Sequence, residues 1–346
     1  MPNYNHAAYL PASIDGMLRQ SRPADEIIIV DDASTDDSLA IISRSTAGHA
    51  AVHVVRNPRQ GGVVRALNAG LAMASGDLLA FVGADDMLSP HFNAALAPLL
   101  EAHPEAAFGS ARVELRDHAD RKTGERPIIR PAASPGYVSP DSFRRQLRLG
   151  DNYFLGQVTL YRRSRLEELG GFDSALGSLS DSLLQRRLAA RWGYVFVPDI
   201  LGVWRVHGAN YSVTSATDPA VLEAMIATAR RVLADEPAGL YPPGYAELLE
   251  RRLRFNSARL HAGGLGHRDD AADTMTRIMG GRSADRNALA GAARCGRLAP
   301  MLALSWLTLR LRPFAPSWLL AEAGLRLAAR IGFPGMGGAS SLPPAK

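Results

Sequence analysis

Apolar positions in the first half of the chain fall into short runs separated by stretches with helical spacing. Residues 26–30 (Glu-Ile-Ile-Ile-Val), 52–55 and 77–82 read as buried strands, short and rich in apolar side chains. Between them, residues 7–20, 37–45 and 62–74 repeat apolar positions every three or four residues, which predicts helices. This β-α-β-α rhythm predicts an α/β fold, a mostly parallel sheet flanked by helices. Two of the strands end in paired carboxylates, Asp31-Asp32 and Asp85-Asp86. Ligands of open α/β sheets bind beyond the carboxyl ends of the strands, so both pairs mark a candidate site.

Further along, residues 112–140 are polar and rich in Pro and Gly, and read as a long loop or a hairpin excursion. Strands are expected at 158–161 and 194–198, and a helix at 183–192. Beyond about residue 217 the pattern turns helical, at 218–234, 245–262 and 269–279. Pro237, Pro242, Pro243 and the pairs Gly263-Gly264 and Gly280-Gly281 punctuate it. The expected division is an α/β domain over 1–215 and an α-helical region over 216–346. The longest apolar stretch, 298–309, contains Pro300 and Ser305. Twelve helical residues cover about 18 Å against about 30 Å of hydrocarbon, too little to span a bilayer. No basic segment followed by an apolar run opens the chain, so no secretion signal is expected.

Composition narrows the classes. A hydrophobic content of 47% in 346 residues supports a packed core. The single cysteine, Cys295, excludes an internal disulfide and a cysteine-based zinc cluster. A net charge of +5 raises nucleic acid and anionic membrane as partners. The charge is unevenly spread: residues 1–280 hold 30 Lys+Arg against 32 Asp+Glu, and residues 281–346 hold 9 against 2. The front is slightly acidic, which argues against nucleic acid. The basic end interleaves Leu298, Met301, Leu302, Trp306 and Leu309 with Arg294, Arg297, Arg310 and Arg312. After Pro313 and Pro316, Trp318, Leu319, Leu325, Leu327 and Ile331 run beside Arg326 and Arg330. Residues 294–331 therefore suit a peripheral membrane contact, or a helical hairpin packed on the rest of the chain or on a second subunit. No Gly-X-Gly-X-X-Gly follows a strand and no Walker-type loop occurs, which excludes the usual dinucleotide and P-loop sites.

Adjacent carboxylates at a strand end are costly unless a cation offsets them. Mg²⁺ or Mn²⁺ held by one or two carboxylates and by phosphate oxygens is one solution for Asp85-Asp86, and a helix N-cap is an equal alternative. For Asp31-Asp32 the alternatives are an Asx turn and a carboxylate that accepts from a base N–H.

The ordered set of motifs adds a resemblance to these readings. Pro2-Asn3-Tyr4-Asn5 precedes the first helix, and Val30-Asp31-Asp32-Ala33-Ser34-Thr35-Asp36 follows it. Asn57-Pro58-Arg59-Gln60-Gly61-Gly62 then leads to Asn68, and Gly76-Asp77 opens the strand ending Gly83-Ala84-Asp85-Asp86. Gly170-Gly171-Phe172-Asp173, Asp181 and Arg205-Val206-His207 complete the set. In this order the motifs resemble glycosyltransferase family 2, with the GT-A (nucleotide-diphospho-sugar transferase-like) fold, over about residues 1–215.

The resemblance implies an inverting, metal-dependent transferase that moves a sugar from a nucleotide-diphospho-sugar to a hydroxyl of a glycan or lipid-linked acceptor. It implies a role in cell-envelope or exopolysaccharide assembly and a cytoplasmic location, at the membrane face for a lipid-linked acceptor. Pro2 and Tyr4 would hold the nucleotide base, with Asp32 accepting from its ring N–H. Arg65 and Asn68 would lie along the nucleotide. Asp85 would face the ribose or sugar, and Asp86 with His207 would hold Mg²⁺ or Mn²⁺. Asp181 would be the catalytic base.

Three departures stand out. Gly83 replaces the first acid of the family's Asp-X-Asp motif, and Ser180 replaces the acid that usually precedes the base. Gln185 and Arg191-Trp192 lack the spacing of the processive synthases' Gln-X-X-Arg-Trp, so one sugar per encounter is expected. Family members also open with an apolar strand before Pro-Asn-Tyr-Asn, and here Met1-Pro2 leaves that strand absent. A late start or a truncation would account for it, and direct pairing of residues 27–30 with 77–82 would refute it. The missing strand and Gly83 also motivate a rival reading, a non-catalytic nucleotide-sugar-binding or scaffolding relative.

Overall fold

The computed structural model describes residues 1–127, 130–150, 155–207, 210, 217–265, 267–268, 270–317 and 319–320. The N-terminal rhythm is present as strands β1 (Pro2–Asn3), β2 (Ile27–Asp31), β3 (Val52–Arg56) and β4 (Leu78–Ala80), with helices α1 (Leu10–Leu18), α2 (Ser38–Ser45) and α3 (Val63–Met73) between them. The first three strands form a parallel sheet in the order β1-β2-β3, with Pro2 opposite Val30 and Ile27 opposite Val52. The leading strand is thus not wholly absent: two residues of it pair with β2.

Strand β4 belongs to a second sheet. After β5 (Met87–Leu88) and α4 (Phe92–Ala102) come β6 (Phe108–Arg116), β7 (Lys122–Arg126), β8 (Gly136–Val138) and α5 (Pro140–Leu149). Then follow β9 (Thr159–Arg162), α6 (Arg163–Glu168), α7 (Ser180–Trp192) and β10 (Tyr194–Arg205). The order is β4-β9-β6-β10-β5, with β7 beside β6 and β8 beside β10. Only β6 and β10 run parallel here; the other pairings are antiparallel. The expectation of a mostly parallel sheet therefore holds for the first sheet and fails for the second. One reason is local: the polar 112–140 excursion folds back through a turn at Asp117–Arg121, where Asp117 N donates to Arg121 O at 3.0 Å. A connection that short can join only antiparallel strands.

Residues 27–30 and 77–82 do not pair. Between β2 and β4 lies a groove of about 210 Å³, lined by Ile27, Ile28, Leu71, Leu78, Leu79 and Phe81 among others.

Beyond residue 217 come α8 (Pro219–Ala234), α9 (Tyr245–Ala262), α10 (Ala271–Ile278), α11 (Ser283–Ala293) and α12 (Ala299–Leu311). Asp218 caps α8 by accepting from Ala220 N and Val221 N, with Pro219 in the first turn, as such residues favour. These helices share one hydrophobic core with α5 and α7, including Phe143, Leu183, Leu188, Met225, Leu249 and Leu307. The fully buried Arg252 ties α9 to both neighbours, donating to Pro313 O at 2.7 Å and to Leu147 O at 3.1 Å. Glu236, after α8, accepts from Arg187 of α7 at 2.6 Å and also pairs with Arg191.

Helix α12 packs through Ala299, Ala303, Leu307 and Leu311, while Leu298, Met301, Leu302 and Leu309 stay exposed. The packed-hairpin reading of the basic end thus describes one face of α12. Trp318, Leu325, Arg326, Leu327, Arg330 and Ile331 lie outside the described residues, as does the expected boundary near 215. Among the described residues no helix is long and apolar enough to cross a membrane.

Candidate active site

The chain after β1, β2, β4 and β10 carries the chemistry. Asn5, at φ 56°, turns the chain after β1, in a backbone region that Asn tolerates better than most residues. Its Oδ1 accepts from Thr35 N at 2.8 Å and Asp36 N at 3.3 Å, while its own N–H donates to Ser34 Oγ at 3.0 Å. The 4–7 loop is thereby laced to the 32–36 loop.

Both acids of the first pair are buried and well supplied with donors. Asp31 accepts from Asn3 Nδ2 at 2.8 Å and Ser34 N at 3.1 Å. Asp32 accepts from Asn57 Nδ2 at 2.7 Å, from Gly62 N at 2.7 Å, and through both oxygens from Gly61 N at 3.0 Å. Asp32 was expected to meet a base N–H; the structure shows its carboxylate shaping the 57–62 loop. Tyr4 is half-buried beside that loop system, Pro2 lies in β1, and Arg65 is exposed on α3. The Arg65 side chain runs over Gly61, where an added Cβ would sit 3.2 Å from Arg65 Cδ. Asn68 is turned to another task. Its amide donates to Phe172 O at 2.7 Å and accepts from Phe172 N at 3.1 Å. Gly171, at φ 73°, permits that clamp: a Cβ there would stand 3.0 Å from Asn68 Oδ1.

The second pair is supplied differently. Asp86 is buried and accepts from Arg205 N at 3.1 Å. Burial, reinforced by the neighbouring Asp85 charge, pushes its carboxyl well above the usual range. Asp85 faces the imidazoles: its Oδ2 lies 3.1 Å from His207 Nε2, 4.0 Å from His6 Nε2 and 3.0 Å from Asn210 Nδ2. The His6, Asp85 and His207 ligand atoms all lie within 4.8 Å of one another. The Tyr9 ring stacks on His207 at 5.4 Å and 6°. Gly83 explains itself here, because a Cβ at that position would sit 2.8 Å from both Asp85 Oδ1 and Asp86 Oδ2. The lost acid of the motif leaves the room into which the other two fold.

Two imidazoles and a carboxylate form a donor set suited to a divalent transition ion. Asp85, rather than Asp86, is the carboxylate brought against His207. His6, Tyr9 and Asn210 were not anticipated from the sequence. His6 directly follows the Asn5 turn and Asn210 stands three residues after His207, so proximity to known motifs was the only available signal.

Asp181 occupies the first turn of α7 and accepts from Ser182 N at 2.6 Å. The residue keeps some exposure while its carboxyl is closely surrounded. That enclosure raises its proton affinity, against the pull of the Ser182 N–H and the Arg186 charge. Gly156 makes room for it: a Cβ there would stand 2.6 Å from Asp181 Oδ2. An enclosed carboxylate with raised proton affinity is suited to general-base work.

The model of the family described as glycosyl transferase family 2 matches residues 1–170. An uncharacterised glycosyltransferase of Nostoc sp. PCC 7120 is 31% identical over 229 residues, 64% of this chain and 68% of that one. The chain belongs to glycosyltransferase family 2. The O-antigen biosynthesis protein RfbC of Myxococcus xanthus is 33% identical over 157 residues, 44% of this family 2 chain and 11% of that protein. A PGL/p-HBAD biosynthesis glycosyltransferase of Mycobacterium tuberculosis is 36% identical over 88 residues, 25% of this chain and 34% of its own length. Two solved structures share the GT-A fold. The mannosyltransferase PcManGT of Pyrobaculum calidifontis, solved with GDP-Man and Mn²⁺, is 24% identical with a TM-score of 0.52, over 95% of this chain and 84% of that one. Residues 1–349 of S. aureus TarS, solved with UDP-GlcNAc, are 14% identical with a TM-score of 0.58, over 96% and 90% of the two chains.

Proposed function

We propose that this glycosyltransferase moves a sugar from a nucleotide-diphospho-sugar to a hydroxyl of a glycan or lipid-linked acceptor, with inversion, in cell-envelope or exopolysaccharide assembly. The observation that carries the reading is the Asp181 carboxyl, held in the first turn of α7 against Gly156 and raised in proton affinity by that enclosure. Pro2, Tyr4 and Arg65 bound the nucleotide corner, which Asp32 holds in shape. Asp85, with Asp86 behind it, and His207 would hold Mg²⁺ or Mn²⁺. When bound, that ion neutralises charge developing on the departing diphosphate.

An acceptor hydroxyl is a weak nucleophile near neutral pH. Asp181 takes its proton as the oxygen bonds to the anomeric carbon and the bond to diphosphate breaks on the opposite side. One such displacement inverts the centre. The relatives named for O-antigen and PGL/p-HBAD biosynthesis support the pathway class. The exposed Leu298, Met301, Leu302 and Leu309 beside exposed arginines support a peripheral membrane contact within 294–331.

The test is Asp181→Asn. It keeps donor affinity and lowers transfer to the acceptor by about 10²- to 10⁴-fold, the span of a lost general base. Undiminished transfer overturns the assignment. Metal-dependent hydrolysis of a nucleotide-sugar by the wild-type chain, with no such hydrolysis in Asp85→Ala, separates the enzyme from a donor-binding relative.

A further inference from the structure

We infer that His6 is a third protein ligand of the divalent ion, and that the resulting set of two imidazoles and one carboxylate makes this site select Mn²⁺ over Mg²⁺. The inference rests on the proposed donor site and adds the identity of its ion.

The His6 ring is half-buried, and its Nδ1 is enclosed without a hydrogen-bond partner. Its Nε2 stands 4.0 Å from Asp85 Oδ2, beyond hydrogen-bond reach. Among the described residues the ring therefore spends neither nitrogen on the protein. Nε2 is the nitrogen turned toward the Asp85 carboxylate, and it is the one placed to meet an ion there. The surroundings hold the ring close to the cluster. Asn5 fixes the turn before it, and Ala7 N donates to Asp36 Oδ2 at 3.0 Å after it. Tyr9 lies against both imidazoles, 6.3 Å from the His6 ring and 5.4 Å from that of His207.

Among the described residues no guanidinium pairs with the Asp85 carboxylate. Arg205 is the nearby cation, yet it bonds Asp120 Oδ1 at 3.2 Å and the Asp85 backbone oxygen at 3.0 Å, and lies over the Tyr9 ring at 5.6 Å. Ligands in neighbouring positions around a small divalent ion lie about 3 Å apart, given bonds of about 2.1 Å. The three donor atoms lie within 4.8 Å of one another, close to that spacing.

The donor types decide the preference. Mg²⁺ prefers carboxylate, phosphate and water oxygens, while imidazole nitrogen favours the first-row transition ions. His6 also sits in the loop that carries Tyr4, so an ion bound there fastens the nucleotide loop to the acidic turn after β4.

The full chain is titrated with Mn²⁺ alone and followed by the loss of the free-ion electron paramagnetic resonance signal. Spin-echo modulation then counts the bound nitrogens. The expected result is one bound Mn²⁺ with two imidazole nitrogens, not displaced by a tenfold excess of Mg²⁺. His6→Ala weakens binding about tenfold or more and leaves one nitrogen, with an unchanged melting temperature. His6→Asp restores binding and lets Mg²⁺ compete. Equal Mn²⁺ affinity in His6→Ala, a single nitrogen in the wild type, free exchange with Mg²⁺, or no bound Mn²⁺ at millimolar concentration each overturns the inference. These readouts need no acceptor and no Asp181, so a chain that binds Mn²⁺ in this way but transfers no sugar refutes the proposed reaction and leaves the ligand set standing.

Discussion

Two loops of this protein carry the same dipeptide at a strand end, and the structure treats them in opposite ways. After β2, the oxygens of Asp31 and Asp32 are met by two asparagine amides and three backbone N–H groups. After β4, Asp86 meets one backbone N–H, and Asp85 meets imidazoles and one amide. Burial with donors makes a carboxylate into a structural pin. Burial with few donors and a second acid alongside makes it a place that favours a cation. The dipeptide alone therefore does not separate the two settings; the count of protein donors around it does.

The largest test of that contrast is Asp85→Asn. It removes the carboxylate charge without changing shape, and kcat/KM for transfer is expected to fall by at least about 10²-fold, the scale of losing one preorganised electrostatic contact. Its unfolding midpoint in urea stays near that of the wild type; if unfolding shifts and transfer does not, the two loops are alike after all. Asp32→Ala should do the reverse. It strands the Asn57 amide and the Gly61 and Gly62 N–H groups, and stability falls by about 3 kcal/mol in urea unfolding. A loss of donor binding without a loss of stability would return Asp32 to the role of base acceptor. Gly83→Ala comes next. Its Cβ intrudes on both acids of the second pair, costing about 1 kcal/mol and weakening Mn²⁺ binding in the same titration.

The smallest effect concerns the third enclosed carboxylate. Folded Asp181 holds its proton more tightly than the unfolded chain does. Its charged form therefore costs stability at neutral pH, and that cost disappears as pH falls below the ordinary carboxylate range of about 4. Asp181→Asn should raise the melting temperature by about 2 °C at pH 8, with the gain shrinking toward pH 4. A gain independent of pH would mean that the carboxyl is not strained by burial.

Much of the front of the molecule was legible because its signals are local. Runs of Ile and Val gave β2 and β3, and the Asn57 to Gly62 segment announced the turn into α3. The family resemblance named Asp181, Asp85, Asp86 and His207; the structure encloses the Asp181 carboxyl and sets Asp85, not Asp86, 3.1 Å from His207. Asn68 was read as a nucleotide neighbour, yet a glycine 103 residues later admits the Phe172 backbone that takes both ends of its amide. One mostly parallel sheet was expected; the mainly antiparallel second sheet was not, because strand direction depends on the path of the connections, which periodicity does not encode. Three of the helices after 217 were found by their period, but not Ser283–Ala293, nor the buried Arg252 that fastens α9 to α5, since an arginine in a helical pattern looks exposed until its neighbours are known.

By itself the sequence determined the alternating elements of the first hundred residues, the family and the set of chemical groups available, because period, turn residues and ordered motifs act over a few neighbouring positions. Only the tertiary structure decided which groups face one another: that Asp32 accepts from the 57–62 loop, that Asp85 lies near both His6 and His207, and that Gly83 leaves the two acids room. Those outcomes depend on the number of donors reaching a buried oxygen from segments up to about 120 residues away, and burial turns that number into charge, proton affinity and affinity for an ion.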